Sequence, residues 1–342
     1  MRSSLKLGAW ALTLFAIAAQ AQQYTTTTLP NCGKYSTFQF PDGTYSCERY
    51  AIFPWFAAGQ GWQSQVSMFV SPVPRVGGVV RGALVTLGIG PGATGANLFG
   101  GTFGNYGAIF GQADALLASA GTARLDLIDS ISCVVVGGCY YDGNLAVGPL
   151  WLIIDAPDVQ TLEAATTQLI FLYADATNVL SRQVAVPPVF QDQASPHWAS
   201  SFSETPTGQA ATTNDNFMSF AVTNLSVVAQ SVNVALYDQT GTLVAQKNTP
   251  VLAAGSTGDA YLGCGAQCAN QLIPGGVYAD TFASFFGLTA ASVSGDAAAA
   301  TARTGTIDGT LVLRSSGGQP IAPLVVRTVG ASVTLLLSVP LP

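Results

Sequence analysis

Charged residues are scarce in this chain of 342 residues: they make up 9% of it, with 12 Lys and Arg against 18 Asp and Glu. Binding to nucleic acid or to anionic lipid depends on clustered Lys and Arg, and the sequence contains no such cluster. The composition therefore argues against both classes of partner. His197 is the only histidine. It lies in a polar stretch, and no nucleophile-elbow motif accompanies it, so we expect no serine-triad hydrolase.

The sequence also lacks an apolar run long enough to span a bilayer. Its first residues instead carry Arg2 and Lys6, followed by an apolar run of about thirteen residues (7–19) and by Ala19 and Ala21 in a small-x-small pattern. This pattern predicts a secretory signal peptide over residues 1–21, cleaved after Ala21. We therefore expect a secreted or periplasmic protein that does not insert into a membrane.

Strand and turn signals dominate the rest of the chain, which has 49% hydrophobic residues and 37 glycines. Val232, Val234 and Leu236 occupy every second position of one segment, and the turn signal at residues 238–241 precedes a second extended segment at 242–246. This alternation predicts a β-hairpin.

Similar patterns predict further strands at residues 65–70, 80–89, 150–154, 168–173, 218–223, 310–314, 323–328 and 333–339, the last being a candidate edge strand. Short helices are predicted at residues 112–120 and 277–286. The predicted fold class is all-β, with two tandem antiparallel β-sandwich (Ig-like) domains and short helical insertions.

The two halves of the chain resemble each other. The matching segments are residues 66–70 and 218–222, 148–152 and 309–313, 169–172 and 324–327, and 184–187 and 337–340. Their consistent order favours an internal duplication. We therefore predict a first sandwich domain over residues 22–190, a linker over 191–215 that is rich in small polar residues, and a second sandwich domain over 216–342.

The six cysteines form three couples that are close in sequence: Cys32 and Cys47, Cys133 and Cys139, and Cys264 and Cys268. Export favours disulfides, and although six cysteines allow fifteen pairings, proximity favours the local ones. Cys32 and Cys47 also flank a predicted hairpin with a turn at Pro41-Asp42-Gly43. Zinc binding by Cys264 and Cys268 is the alternative for the last couple. The absence of a second zinc-type couple and the single histidine argue against it, so we predict three disulfides and no metal site.

Four segments carry a family resemblance: residues 53–56 (FPWF), 61–64 (GWQS), 235–243 (ALYDQTGTL) and 309–314 (GTLVLR). Over residues 50–342 the chain resembles a group of uncharacterised exported bacterial proteins with two β-sandwich repeats. The resemblance implies architecture and transfers no catalytic residues.

Other chemistry-bearing residues are scattered. Glycosidase chemistry needs two carboxylates held close together, and Asp155 and Asp158 follow a predicted strand in a turn where aspartate is common for backbone hydrogen bonding alone. Asn224 begins an Asn-Leu-Ser triplet that matches the glycosylation pattern. We predict no catalytic residue, no metal and no cofactor.

Aromatic residues provide the candidate ligand contacts, which are Trp55, Phe56, Trp62, Tyr140 and Tyr141. Exposed rings would stack on sugars, but Trp and Phe in a β-sandwich more often pack in the core, and we favour core packing. The leading hypothesis is an exported non-enzymatic structural, adhesive or matrix protein whose partner is an unidentified extracellular protein or glycan. A carbohydrate-binding protein or a polysaccharide-active enzyme is the first alternative, and an outer-membrane β-barrel is the second.

Overall fold

The computed structural model of the protein describes residues 31–39, 43, 45–58, 62–70, 80–86, 111–117, 122–126, 146–174, 180–204, 216–258, 271–287, 307–329 and 332–342. The expected signal peptide lies outside these residues. Within them the chain forms antiparallel sheets with two short α-helices, so the predicted all-β, sandwich-like fold is confirmed. None of the helices in the described part of the chain has the length and apolar character needed to cross a membrane.

The strands are β1 (Ser36–Gln39), β2 (Tyr45–Ala58), β3 (Trp62–Val70), β4 (Val80–Thr86), β5 (Gly111–Leu117), β6 (Thr122–Asp126), β7 (Ala146–Ala156), β8 (Ala165–Ala174), β9 (Leu180–Val186), β10 (Val189–Phe190), β11 (His197–Glu204), β12 (Asn216–Asn224), β13 (Val232–Asp238), β14 (Leu243–Asn248), β15 (Ser256–Gly258), β16 (Gln271–Ile273), β17 (Val277–Thr281), β18 (Ile307–Ser315), β19 (Ile321–Val329), β20 (Ser332–Leu336) and β21 (Ser338–Pro340). The helices are α1 (Val159–Ala164), α2 (Phe282–Phe286) and a 3-10 turn (Gln191–Gln193).

These strands form four main sheets and the small β15–β16 ribbon. Sheet 1 has the order β1-β2-β7-β4-β5, and β10 also pairs with β2. Sheet 2 has the order β6-β3-β8-β9, sheet 3 the order β17-β12-β19-β20, and sheet 4 the order β14-β13-β18-β11-β21. The first half of the chain supplies sheets 1 and 2, and the second half supplies sheets 3 and 4.

The strand order of sheets 1 and 2 recurs in sheets 4 and 3. The run β2-β7-β4-β5 corresponds to β11-β18-β13-β14, and β6-β3-β8-β9 corresponds to β17-β12-β19-β20. Three of the four similar segment pairs lie on corresponding strands, namely β3 and β12, β7 and β18, and β8 and β19. The fourth pair does not, because residues 184–187 overlap β9 whereas 337–340 overlap β21 instead of β20.

Sheets 3 and 4 enclose an aromatic core. Phe220 of β12 stacks on Phe282 with ring centroids 4.7 Å apart, and Phe285 meets Phe220 edge-on at 5.1 Å. Alternation in β13 places Val232, Val234 and Leu236 in this core, as the sequence predicted. The predicted β13–β14 hairpin is confirmed by their antiparallel pairing.

The opposite face of sheet 3 packs against the first half of the chain. Ala221, Leu324 and Val326 belong to the same apolar cluster as Phe53 and Leu169 of sheets 1 and 2. The Thr223 hydroxyl donates a hydrogen bond to the Pro54 carbonyl oxygen at 3.0 Å across this contact. The two halves therefore share this apolar cluster. Sheet 3 contributes one face to it and the other face to the aromatic core.

Three sequence predictions need correction. Residues 112–117 of the predicted helix 112–120 belong to β5, because antiparallel pairing with β4 overrides the helix propensity of Ala and Leu. Residues 277–281 form β17, and the helix predicted at 277–286 is limited to α2, which Thr281 caps. The linker expected at residues 191–215 contains β11, where Trp198 and Phe202 are buried on one face between polar neighbours.

We predict that Val326→Ala lowers the free energy of unfolding of the whole chain by about 2 kcal/mol, because Val326 is fully buried between the halves. Unfolding should remain a single transition. Val329→Ala is the matched control on the same strand, and since Val329 is 48% exposed, it should have little effect. Chemical denaturation followed by tryptophan fluorescence and by circular dichroism tests this prediction. Two separate transitions, only one of which shifts, would contradict it.

Candidate functional site

The Cys32–Cys47 disulfide is present, with its two Cα atoms 5.4 Å apart. It joins the segment before β1 to β2. The antiparallel register of β1 and β2 pairs Ser36 with Glu48 and Gln39 with Tyr45. The predicted N-terminal disulfide hairpin is therefore confirmed. Cys133, Cys139, Cys264 and Cys268 lie outside the described residues, as do Tyr140 and Tyr141.

The aromatic residues of β2 belong to the core. Trp55 and Phe56 are each 1% exposed, and they pack in the cluster shared by sheets 1, 2 and 3. Their burial favours core packing, the more common role of Trp and Phe in a β-sandwich, over a ligand platform, because a ring must be exposed to stack on a sugar. Trp62 begins β3, and its side chain is outside the described part of the structure.

Asp158 and Asn224, two of the polar residues named in the sequence analysis, form hydrogen bonds that stabilise the fold. Asp158 caps α1 by accepting a hydrogen bond from the Thr161 N–H at 2.7 Å. Asn224 is fully buried, and its amide donates to the Val228 and Ala253 carbonyl oxygens at 2.8 and 2.9 Å. Burial and these bonds make Asn224 inaccessible as a glycosylation acceptor. Among the described residues, no group of three His, Cys, Asp or Glu side chains is placed to hold a metal ion.

A polar clasp ties the disulfide hairpin to the segment that enters β11. Asp192 accepts hydrogen bonds from Lys34 Nζ at 2.8 Å and from Arg49 Nε at 3.0 Å. The Arg49 guanidinium also lies 3.5 Å from the ring centroid of Phe190. The Tyr35 hydroxyl donates to Glu163 of α1 at 2.9 Å. Because the charges of the clasp are paired with one another, it holds the fold together and offers little free charge to a ligand.

The outer face of sheet 4 carries exposed and half-buried side chains around two buried ones, since Ala235 and Val312 are 3% and 8% exposed. We define the sheet-4 face by the outward side chains His197, Ala199, Ser201 and Ser203 of β11, Asn233, Ala235 and Tyr237 of β13, Gln246 and Asn248 of β14, Asp308, Thr310, Val312 and Arg314 of β18, and Val339 of β21. Registered pairing sets these side chains in rows across the strands. His197, Arg314, Asn233 and Asn248 form one row, and Val339, Ala199, Val312, Ala235 and Gln246 form the next.

Neutral polar groups and small apolar groups cover most of this face. The Asn233 amide donates to Asn248 at 2.8 Å and accepts from Gln246 at 3.1 Å, so the amides form a ladder between β13 and β14. Asp308 and Arg314 are the charged members of the face, and they lie near opposite ends of β18. Sequence reasoning missed this surface, because its members come from five separated strands.

The C-terminal segment borders the sheet-4 face. Leu337 and Val339 are 71% and 54% exposed. A groove of about 520 Å³ lies on the side of Ser201 and Thr310, and a groove of about 540 Å³ lies on the side of Pro187 and Pro188. The prediction of an edge strand at residues 333–339 is confirmed, but the segment divides, since β20 ends sheet 3 and β21 ends sheet 4.

Pro340 limits strand addition at this edge. The Leu341 N–H bonds to the His197 carbonyl oxygen at 2.9 Å, so the alternate residues Ser338 and Pro340 direct their backbone polar groups away from β11. Proline has no N–H, and a partner strand would therefore find one donor fewer on β21. A partner on this side of the molecule would have to bind through side chains of the sheet-4 face.

Glu204 ends β11 as a buried carboxylate. It is 1% exposed and accepts a hydrogen bond from the Met218 N–H at 3.4 Å. Burial raises the pKa of Glu204 to about 7. Glu204 points into the protein and not toward the sheet-4 face, so it affects stability and not ligand contact.

We predict that stability falls as the pH rises from about 4.5 to about 7, because the folded chain retains a proton on Glu204 that the unfolded chain releases. Glu204→Gln should remove this dependence and raise the free energy of unfolding at pH 8 by up to about 3 kcal/mol. Urea denaturation at several pH values measures the effect, with Asp308→Asn as a control for the loss of one negative charge. An unchanged pH profile in Glu204→Gln would refute the prediction.

We predict that Asp192→Asn lowers the free energy of unfolding by about 2 kcal/mol near neutral pH, because it leaves the buried Arg49 without its carboxylate. Burial opposes ionisation, but the bonds from Lys34 and Arg49 outweigh it and hold the pKa of Asp192 below its usual value. The stabilisation is thus present above the ordinary aspartate pKa and is lost as the pH falls through the lowered one. Lys34→Gln is the control, since the Lys34 side chain is 60% exposed. Equal losses of stability in both variants, measured by denaturation, would disprove this account.

Comparison of the chain with protein-family models, with curated proteins and with solved structures found no match.

Proposed function

We propose that the protein is an exported, non-enzymatic structural or adhesive component that acts through surface contact, and that the sheet-4 face is its contact surface. The observation that carries this proposal is the composition of that face. It combines neutral hydroxyl and amide groups with small apolar groups, of which Ala199 is half-buried and Val312 is 8% exposed, and its edge carries the exposed Val339 beside the exposed Leu337.

The low charge of the face favours contact with another surface. Charged side chains are costly to remove from water, and the centres of protein interfaces are depleted in them. Exposed apolar groups gain by being covered. Leu337 and Val339 supply such groups beside the hydroxyls of Ser201 and Thr310, so a partner would bury apolar area while satisfying nearby polar groups.

Export is supported by two features. Residues 1–21 have the pattern of a cleaved secretory signal. The Cys32–Cys47 disulfide suits an oxidising compartment, where such bonds persist. A secreted or periplasmic location would place the sheet-4 face within reach of envelope or matrix components.

The recurring strand order supports a tandem duplication of one Ig-like sandwich. A duplicated unit would repeat two runs of four strands, and such runs recur between sheets 1 and 4 and between sheets 2 and 3. In this arrangement the second copy packs its sheet 3 on the first copy and leaves one face of sheet 4 to solvent. The duplication would thus provide both the shared core and the contact surface.

Carbohydrate binding is the second candidate function, and the amide ladder favours it. Asn233, Asn248 and Gln246 offer neutral donors and acceptors. The half-buried Tyr237, further along β13 on the same face, adds an aromatic ring. Amides and aromatic rings together suit the hydroxyl groups and apolar faces of sugars.

We predict that Thr310→Arg abolishes binding of the mature chain to envelope components of its native host, because a long cation would occupy the centre of the sheet-4 face. Thr334→Arg is the matched control, since Thr334 is also an exposed strand threonine but belongs to β20 of sheet 3. Binding is measured by pull-down from fractionated envelope and on an array of neutral glycans.

Loss of binding in Thr310→Arg alone supports the proposal, and the class of retained component separates the adhesive role from carbohydrate binding. Equal binding by Thr310→Arg and the unmodified chain would refute the assignment of the sheet-4 face. Circular dichroism establishes that each variant is folded before it is compared.

A further inference from the structure

We propose that the sheet-4 face binds a second copy of this chain, as a twofold dimer packed face to face. This inference rests on the proposed function in taking the sheet-4 face as a contact surface. It goes further by naming the partner, the symmetry and the residues that align the two copies.

The charges of β18 make the face complementary to itself. Asp308 and Arg314 point outward from the same strand, and the six residue steps between them span about 20 Å. A twofold axis between the copies, running across the strands, reverses β18 of one copy over β18 of the other. Arg314 of each copy then lies over Asp308 of the other. The twofold symmetry thus gives two equivalent ion pairs between the copies.

The rest of the face does not oppose this contact, although the chain has a net charge of −6. Apart from Asp308 and Arg314, its residues are neutral or, at His197, a single imidazole at the margin. Two copies would therefore meet without bringing their excess negative charge together. A strongly charged partner would find few counter-charges on this surface.

The middle row of the face lies low, because Ala235 and Val312 are 3% and 8% exposed, so a second copy would contact taller neighbours such as the exposed Thr310. Ala235, Val312 and Ala199 form adjacent positions of one row, and Val339 continues it at the edge. Sheets that pack face to face lie about 10 Å apart, a spacing that small and β-branched side chains permit. The same axis places Val312 of each copy over Thr310 of the other.

The area of the face is sufficient for a dimer. Five strands about 4.8 Å apart and roughly seven residues long cover about 600 Å² per copy, and about 1,200 Å² in total is the lower limit for specific interfaces. The exposed Leu337, which borders the face, would add apolar area at the rim. This size predicts a reversible dimer and not an obligate one.

A charge-swap experiment on the disulfide-bonded mature chain tests the pairing. Asp308→Arg and Arg314→Asp each place like charges opposite one another, and each should raise the dimer dissociation constant by about tenfold or more. The double variant with both substitutions restores opposite charges at both sites, and its dissociation constant should return to within about threefold of the unmodified value. Sedimentation equilibrium over a range of concentrations and salt measures these constants.

Thr334→Arg is the control and should leave the dimer unchanged, and circular dichroism with thermal denaturation identifies any variant that fails to fold. If a charge-swap variant fails to fold, Asp308→Asn or Arg314→Gln takes its place. Each of these should weaken the dimer less than the charge swap at the same position. A monomer at every concentration, or a double variant as weak as the two single ones combined, overturns the inference.

The outcomes also separate this inference from the proposed function. If the chain is monomeric but Thr310→Arg loses binding to an envelope protein or a glycan, the second copy is the wrong partner and the contact surface stands. If the charge swap restores a dimer while Thr310→Arg keeps its envelope binding, self-association stands and the proposed adhesive role of this face fails.

Discussion

Sheet 3 is buried on both faces, and the arrangement of the other sheets depends on this constraint. Phe220 and Val222 of β12 face the aromatic core against sheet 4, whereas Ala221 between them faces the first half of the chain. On β19, every residue from Ile321 to Val326 is buried. An isolated second half would expose the apolar face that now contacts β2, so hydrophobic burial couples the two halves directly.

Double burial also requires that polar groups at the ends of sheet 3 find partners inside the protein. Asn224 accepts a hydrogen bond from the Gln230 amide at 2.8 Å, and Ser315 donates to the other end of Gln230. This network links the end of β12 to the end of β18 and thus ties sheet 3 to sheet 4. Thr223 makes the corresponding link to the first half through Pro54. Each polar side chain replaces water at a position where water is excluded.

Much of the strand pattern could be predicted from the sequence, because alternation records which face is buried. The β13–β14 hairpin follows from Val232, Val234 and Leu236 with a turn after them, and the N-terminal hairpin follows from its flanking cysteines. Alternation failed for β11, where serines occupy both faces and mask the buried Trp198 and Phe202. It failed for β5 as well, since Ala and Leu favour a helix until pairing with β4 decides otherwise.

The candidate site could not be predicted in the same way. A sheet face is a property of cross-strand register, and residues as distant in sequence as Ala199, Ala235, Val312 and Val339 become neighbours only through that register. The aromatic residues, in contrast, were conspicuous in the sequence because they are large. Their size is the reason they are buried, as Trp55 and Phe56 are, and so conspicuous residues pointed to the core and not to the surface.

The distribution of charge is the reason that we propose the contact surface on sheet 4. Both faces of sheet 3 and the inner face of sheet 4 are occupied by packing, and among the described residues no further sheet covers the outer face of sheet 4. Polar groups, charged ones among them, usually cover such a face. Here charges at Lys34, Arg49 and Asp192 are used in the clasp, while amides and hydroxyls cover the sheet. Neutral groups lose less on leaving water than charged ones, so this face can be covered at a lower cost in free energy.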